Sequence, residues 1–88
     1  MYRITTKGKE YLDRMLGAGY KIGTESERKQ RVLSYLEFAN GGNYEDIKNH
    51  ITRQRRLKEE GWAPKGNEQD YIRTINKLLQ EGYIKREA

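Results

Sequence analysis

The stretch Tyr71-Ile72-Arg73-Thr74-Ile75-Asn76-Lys77-Leu78-Leu79-Gln80-Glu81-Gly82-Tyr83-Ile84-Lys85-Arg86-Glu87 decides how this chain is read. At about 100° per residue, Tyr71, Ile72, Ile75, Leu78 and Leu79 fall within one arc and must face a core. Gln69, Asp70, Arg73, Lys77 and Gln80 fall opposite them, toward solvent. The period predicts a helix from about Asn67 to Glu81. Gly82 stops it, and Tyr83-Ile84-Lys85-Arg86 reads as a strand.

Upstream of this helix lies a basic connector, residues 52–66, holding Arg53, Arg55, Arg56, Lys58 and Lys65. It breaks at Gly61-Trp62-Ala63-Pro64, where Trp62 reads as a core plug or loop anchor. Before it, Asn43 is a helix cap, with Glu45 and Asp46 in the first turn where the helix dipole favours acids. Tyr44, Ile47 and Ile51 share one side of that helix. Beyond Ile51 the stripe fades, so the helix either ends near Thr52 or runs on as an exposed basic rod to Glu60. Earlier still, Thr24-Glu25-Ser26-Glu27 is a capping box. The helix it opens runs to about Ala39, with Val32, Leu33, Tyr35, Leu36 and Ala39 as its buried face. Asn40-Gly41-Gly42 ends it.

The chain opens with Tyr2-Arg3-Ile4-Thr5, whose alternation suits a short strand. Thr5 or Thr6 then caps a helix to about Leu16, with Tyr11, Leu12, Met15 and Leu16 as its apolar stripe and Gly17 and Gly19 as its stop. The expected order is strand, four helices, strand: a mainly α chain with a small two-stranded antiparallel β wing. The expected organisation is one domain over 1–88, divided into 1–19, 24–51, the connector 52–66, and 67–87.

With 88 residues the chain has room for one modest core and little area for a deep cleft. Its 18 basic and 13 acidic residues give a net charge of +5, which favours polyanionic partners. The excess is uneven. Residues 1–23 carry five basic against two acidic residues and residues 44–66 six against four, while the other two segments are neutral. The chain has no cysteine, which excludes disulfides and thiolate metal sites. No apolar run is long enough to span a membrane and no signal-peptide core opens the chain, so a cytoplasmic location is expected.

The quoted stretch resembles the recognition helix and first wing strand of winged-helix transcription regulators. Members commonly end the reading helix with Leu, a few polar residues, Gly and two apolar residues. The likeness covers residues 24–87. A second likeness sits at the other end. Tyr2-Arg3-Ile4-Thr5-Thr6-Lys7-Gly8-Lys9-Glu10-Tyr11-Leu12 resembles the second wing strand and following helix of the same family, which typically reads Tyr-x-Leu-Thr-x-x-Gly-x-x-Tyr. Here it comes first, which implies a circularly permuted wing helix-turn-helix fold. The strand at Tyr2–Thr5 would pair antiparallel with that at Tyr83–Arg86, within one chain or by exchange in a domain-swapped dimer. The usual basic wing loop is missing, and the basic connector replaces a tight turn.

The resemblance implies binding to double-stranded DNA by a small transcriptional regulator, with the helix 67–81 in the major groove. Gln69 and Arg73 suit base edges, where Arg and amide side chains discriminate well. Lys77, Lys65, Arg53, Arg55 and Arg56 suit phosphates, as do Arg3, Lys85 and Arg86 at the wing. Asp70 would accept from a cytosine amine or pair with Arg73; with Glu68 it would otherwise repel phosphate. Bland readings stand beside these. Arg73 and Lys77 also fit an ordinary solvated helix face, and Arg53–Lys58 a solvated helix partnered by Glu59 and Glu60. The first helix, residues 6–16, is the expected surface of a homodimer. Two rival functions remain: an RNA-binding or ribosome-associated winged helix using the basic connector, and a protein-interaction adaptor that touches no nucleic acid.

No enzyme activity and no cofactor are expected. There is no nucleophile–base pair, and Gly41-Gly42 is a helix stop and not a phosphate loop. One histidine, His50, with no cysteine cannot build a zinc site and reads as a helix-surface or capping residue. The tyrosines at positions 11, 20, 35, 44, 71 and 83 read as core with a wet hydroxyl.

Overall fold

The computed structural model describes residues 1–18, 24–57 and 68–87, with side chains described for 1–18, 24–51 and 69–87. The expectations for Trp62, Lys65, Tyr20 and Gly19, and for the side chains of Arg53, Arg55, Arg56 and Glu68, lie outside those residues.

Six elements follow in order: β1 (Tyr2–Ile4), α1 (Thr6–Ala18), α2 (Glu25–Ala39), α3 (Tyr44–Leu57), α4 (Glu68–Gln80) and β2 (Ile84–Arg86). The layout is mainly helical, with one small antiparallel sheet built from the two ends of the chain. Tyr2 faces Arg86, Arg3 faces Lys85 and Ile4 faces Ile84. The strands pair within one chain, so the sheet needs no exchange with a neighbour. Outside β2, Tyr2 also bridges Gly42 at the α2–α3 turn, through Tyr2 N–H to the Gly42 carbonyl and Gly42 N–H to the Tyr2 carbonyl. β1 thus lies between β2 and that turn.

Local chemistry sets the helix ends. The Thr5 hydroxyl accepts from Gly8 N–H at 3.0 Å and caps α1. Thr24 caps α2 by accepting from Glu27 N–H at 3.3 Å. Asn43 and Asp46 cap α3 reciprocally: Asp46 N–H donates to the Asn43 side chain and Asn43 N–H to the Asp46 carboxylate. Asn40 ends α2 in the left-handed conformation (φ 58°). Gly82 (φ 81°) ends α4, with Gly82 N–H donating to Leu79 and Tyr83 N–H to Leu78. That double bond to the last turn needs a left-handed residue, which glycine adopts without a Cβ penalty.

α2 is the hub, packed against α1, α3, α4 and β1. Its Val32, Leu33 and Leu36 are fully buried and meet Leu12 and Met15 of α1, Ile47 and Ile51 of α3, Tyr71, Ile75 and Leu78 of α4, and Ile84 of β2 in one core. Full burial of each such side chain stabilises the fold by about 1.5–3 kcal/mol.

Three expectations change. Leu16 belongs to the exposed side of α1, 54% accessible, because α1 packs through Gly8, Leu12 and Met15. Ala39 is exposed, since α2 turns away from the core at its last turn. Gly17 does not stop α1, which continues to Ala18. In α4, Thr74 also takes a core position; its hydroxyl donates to the Asp70 carbonyl at 2.9 Å, which makes its burial tolerable.

Candidate functional site

α4 places its two faces largely as its period requires, although Ile72, expected in the core, lies at the margin of the buried arc and is only half-buried. Tyr71, Ile75 and Leu78 are buried, while Gln69, Arg73, Lys77 and Gln80 are exposed and Asp70 is half-exposed. Asn76 is exposed too. It stands three residues after Arg73 and four before Gln80, inside the same arc, and the sequence reading passed it over. Its position at the helical period was the available signal. The resulting surface carries three amides and two cations, a set suited to base-edge and phosphate hydrogen bonds alike.

The cations on this face are already paired. Arg73 Nη2 lies 3.3 Å from Asp70 Oδ1, one turn back, with the Arg73 side chain 72% accessible. Lys77 Nζ reaches across to α2 and meets Glu25, at 2.9 Å to Oε1 and 3.2 Å to Oε2. The Lys77 hydrogen bond holds the Glu25 carboxyl below its ordinary 4.5, against a smaller opposing effect of burial. Glu25 was read only as part of a cap; its partnership spans 52 positions and leaves no local trace.

The terminal sheet repeats the pattern. Arg3 and Lys85 face each other across β1 and β2, and both contact Glu87: Arg3 Nε at 2.7 Å and Lys85 Nζ at 3.2 Å. The hydrogen bond from Lys85 is the main reason the Glu87 carboxyl is held below its ordinary value. Arg86 instead stacks its guanidinium 5.5 Å from the Tyr2 ring centre. At the free end of the sheet, Glu87 N–H donates to the Met1 carbonyl at 2.7 Å and the N-terminal ammonium donates to the Glu87 carbonyl at 3.1 Å.

Where α1, α4 and β2 meet, Tyr11 stacks on Tyr83 at 4.1 Å and 8°. Lys7 lies over the Tyr83 ring and Lys29 over the Tyr11 ring. Lys29 Nζ also bonds Glu81 at 2.9 Å. Burial would lower the Lys29 ammonium, but the Glu81 bond and nearby oxygens outweigh it, so its pKa is raised above the ordinary 10.5. This cluster fastens the root of the terminal sheet to α1, α2 and the end of α4.

His50 lies beside Tyr35, ring centres 4.7 Å apart, on the α2–α3 contact. Among the described residues no group of three His, Asp or Glu side chains stands where it could hold a metal ion. No described helix is long and apolar enough to cross a membrane. The chain matches no protein-family model, no curated protein and no solved structure.

Proposed function

We propose that this chain binds double-stranded DNA as a permuted winged helix, with α4 as the reading element. The observation that carries this reading is the exposed face of α4: Gln69, Arg73, Asn76, Lys77 and Gln80 line one side of a helix whose other side is buried. An α-helix of this kind fits the major groove, and amide and guanidinium groups are the side chains that distinguish base edges there. The wing supports the reading through its strand order. Its second strand leaves α4 directly, and β1 lies between that strand and the α2–α3 turn. In this reading Arg73 and Asn76 meet bases, Lys77 meets phosphate, and the chain acts as a small regulator of transcription.

The test is a duplex-DNA titration by fluorescence anisotropy at two salt concentrations. Binding at low salt that weakens as salt rises is expected, with a slope near 0.9 per phosphate contacted. No binding at low salt would end the proposal. Arg73→Ala should cost about 1–3 kcal/mol against the preferred site and relax its preference at one base pair. Structured RNA outcompeting duplex DNA would transfer the reading to an RNA-binding winged helix.

One observation favours a second reading, a protein-interaction adaptor. Arg73 and Lys77 each have a carboxylate partner on the surface of α4 or beside it. That mixed surface matches a polar protein interface better than a phosphate track. DNA binding requires Lys77 to leave Glu25, an exchange of partners that exposed ion pairs, worth about 0–1 kcal/mol, permit.

A further inference from the structure

Arg3 and Lys85 stand directly opposite each other on paired strands. Like charges so placed repel, and an anion between them relieves the repulsion. Here the anion is the carboxylate of Glu87, one oxygen on each cation. The three line a cleft of about 260 Å³ between the wing's outer face and the end of α2. Lys9 of α1 and Asn40 at the end of α2 line it as well, and Arg3 Nη1 donates to the Asn40 side chain at 3.4 Å. Glu37 is the second carboxylate in the wall.

We propose that this cleft is an oxyanion site whose external ligand is a phosphate group, and that Glu87 occupies it in the free protein. The reasoning is chemical. A carboxylate and a phosphate present the same feature to a guanidinium and an ammonium: oxygens a fixed distance apart that accept charge-assisted hydrogen bonds. The cleft already holds such a pair of oxygens, one 2.7 Å from Arg3 Nε and one 3.2 Å from Lys85 Nζ. With Glu87 in place the wall carries three cations and two carboxylates. With Glu87 displaced it carries three cations and one. The proposal stands apart from the reading of α4, because its ligand is a phosphate wherever that phosphate comes from.

Two sources share this chemistry, the backbone of a nucleic acid and free phosphate, and one experiment separates them. Glu87→Gln removes the resident charge while keeping its size. Isothermal titration with inorganic phosphate should show saturable millimolar binding in E87Q, weaker but detectable binding in the parent, and loss of the gain in the double variant E87Q with Arg3→Gln. Duplex DNA titrated against salt then assigns the source. A slope steeper by about one in E87Q places a nucleic-acid phosphate in the cleft. An unchanged slope with phosphate binding gained places free phosphate there. Should E87Q lose its fold by circular dichroism, the parent chain gives the same answer: the Arg3 Nε–H resonance shifts as phosphate displaces Glu87. No phosphate binding in E87Q and no shift at Arg3 would overturn the proposal.

Discussion

Gly8 shows how a single residue ties the two ends of the chain together. A Cβ there would fall on the Tyr83 carbonyl oxygen and press on the Ile4 side chain. The same carbonyl accepts from Thr5 N–H at 3.0 Å, and the Thr5 hydroxyl donates to the Gly82 carbonyl at 2.7 Å. Thus the spaced residues Tyr2, Ile4, Thr5, Gly8 and Tyr11 each have a physical role: strand pairing, core, cap, close approach, ring stacking. Gly8→Ala should destabilise the fold by about 1–3 kcal/mol, an overpacking cost read as a lower urea midpoint. An unchanged midpoint would mean that the wing does not press on α1. Glu27 is the other residue under tight constraint. Its side chain is fully buried, and Arg31 donates to it through Nε and Nη2, each at 3.3 Å. Arg31→Ala removes these two charge-assisted bonds from a buried carboxylate, and a loss of about 1.5–3 kcal/mol is expected from thermal or chemical unfolding.

Among the elements, α2 and α4 differ in what the sequence could disclose. The boundaries of α2 were legible because caps are local: Thr24 at one end and Asn40-Gly41 at the other. α4 was legible because its two faces alternate cleanly at the helical period. Tertiary partners were not legible. The pairing of Lys77 with Glu25 depends on where α2 lies against α4, and periodicity within one helix is silent on that. Leu16 and Ala39 were misread for the same reason: each sits at the margin of an apolar stripe, where the width of the neighbouring helix decides burial. Since α2 touches most other elements, Leu36→Ala should cost about 2–5 kcal/mol and lower cooperativity throughout the chain. Hydrogen exchange would show the effect reaching α1, α3 and α4 together.

For the whole molecule, charge and pH are linked through a few pairs. Glu25 has a depressed folded pKa, so its contribution is present above the ordinary carboxylate value of 4.5 and fades as pH falls through the lower folded value. Glu87 follows the same sign. Lys29 is raised, so its contribution is present below 10.5 and fades as pH climbs past its folded value. Urea midpoints should therefore form a plateau over the neutral range and decline at both acid and alkaline ends. Glu25→Gln should shrink the acid decline, and an identical acid limb in that variant would remove Glu25 from the linkage. The overall layout was legible because a short alternating strand stands near either end and two such strands suit one another, while their pairing within one chain was visible only in the fold.

The sheet that joins the chain ends has a mechanical consequence. Met1 and Glu87 are bonded at the same end of the strand pair, with Tyr2 and Arg86 the next rung inward. Tension applied at the two ends therefore opens the rungs one after another, as a zipper opens, instead of shearing them together. Each rung yields singly, and the first strain on the molecule releases the terminal sheet while α2 and its packed neighbours still hold. A chain tethered at both ends would lose its sheet first under load and keep its helical core.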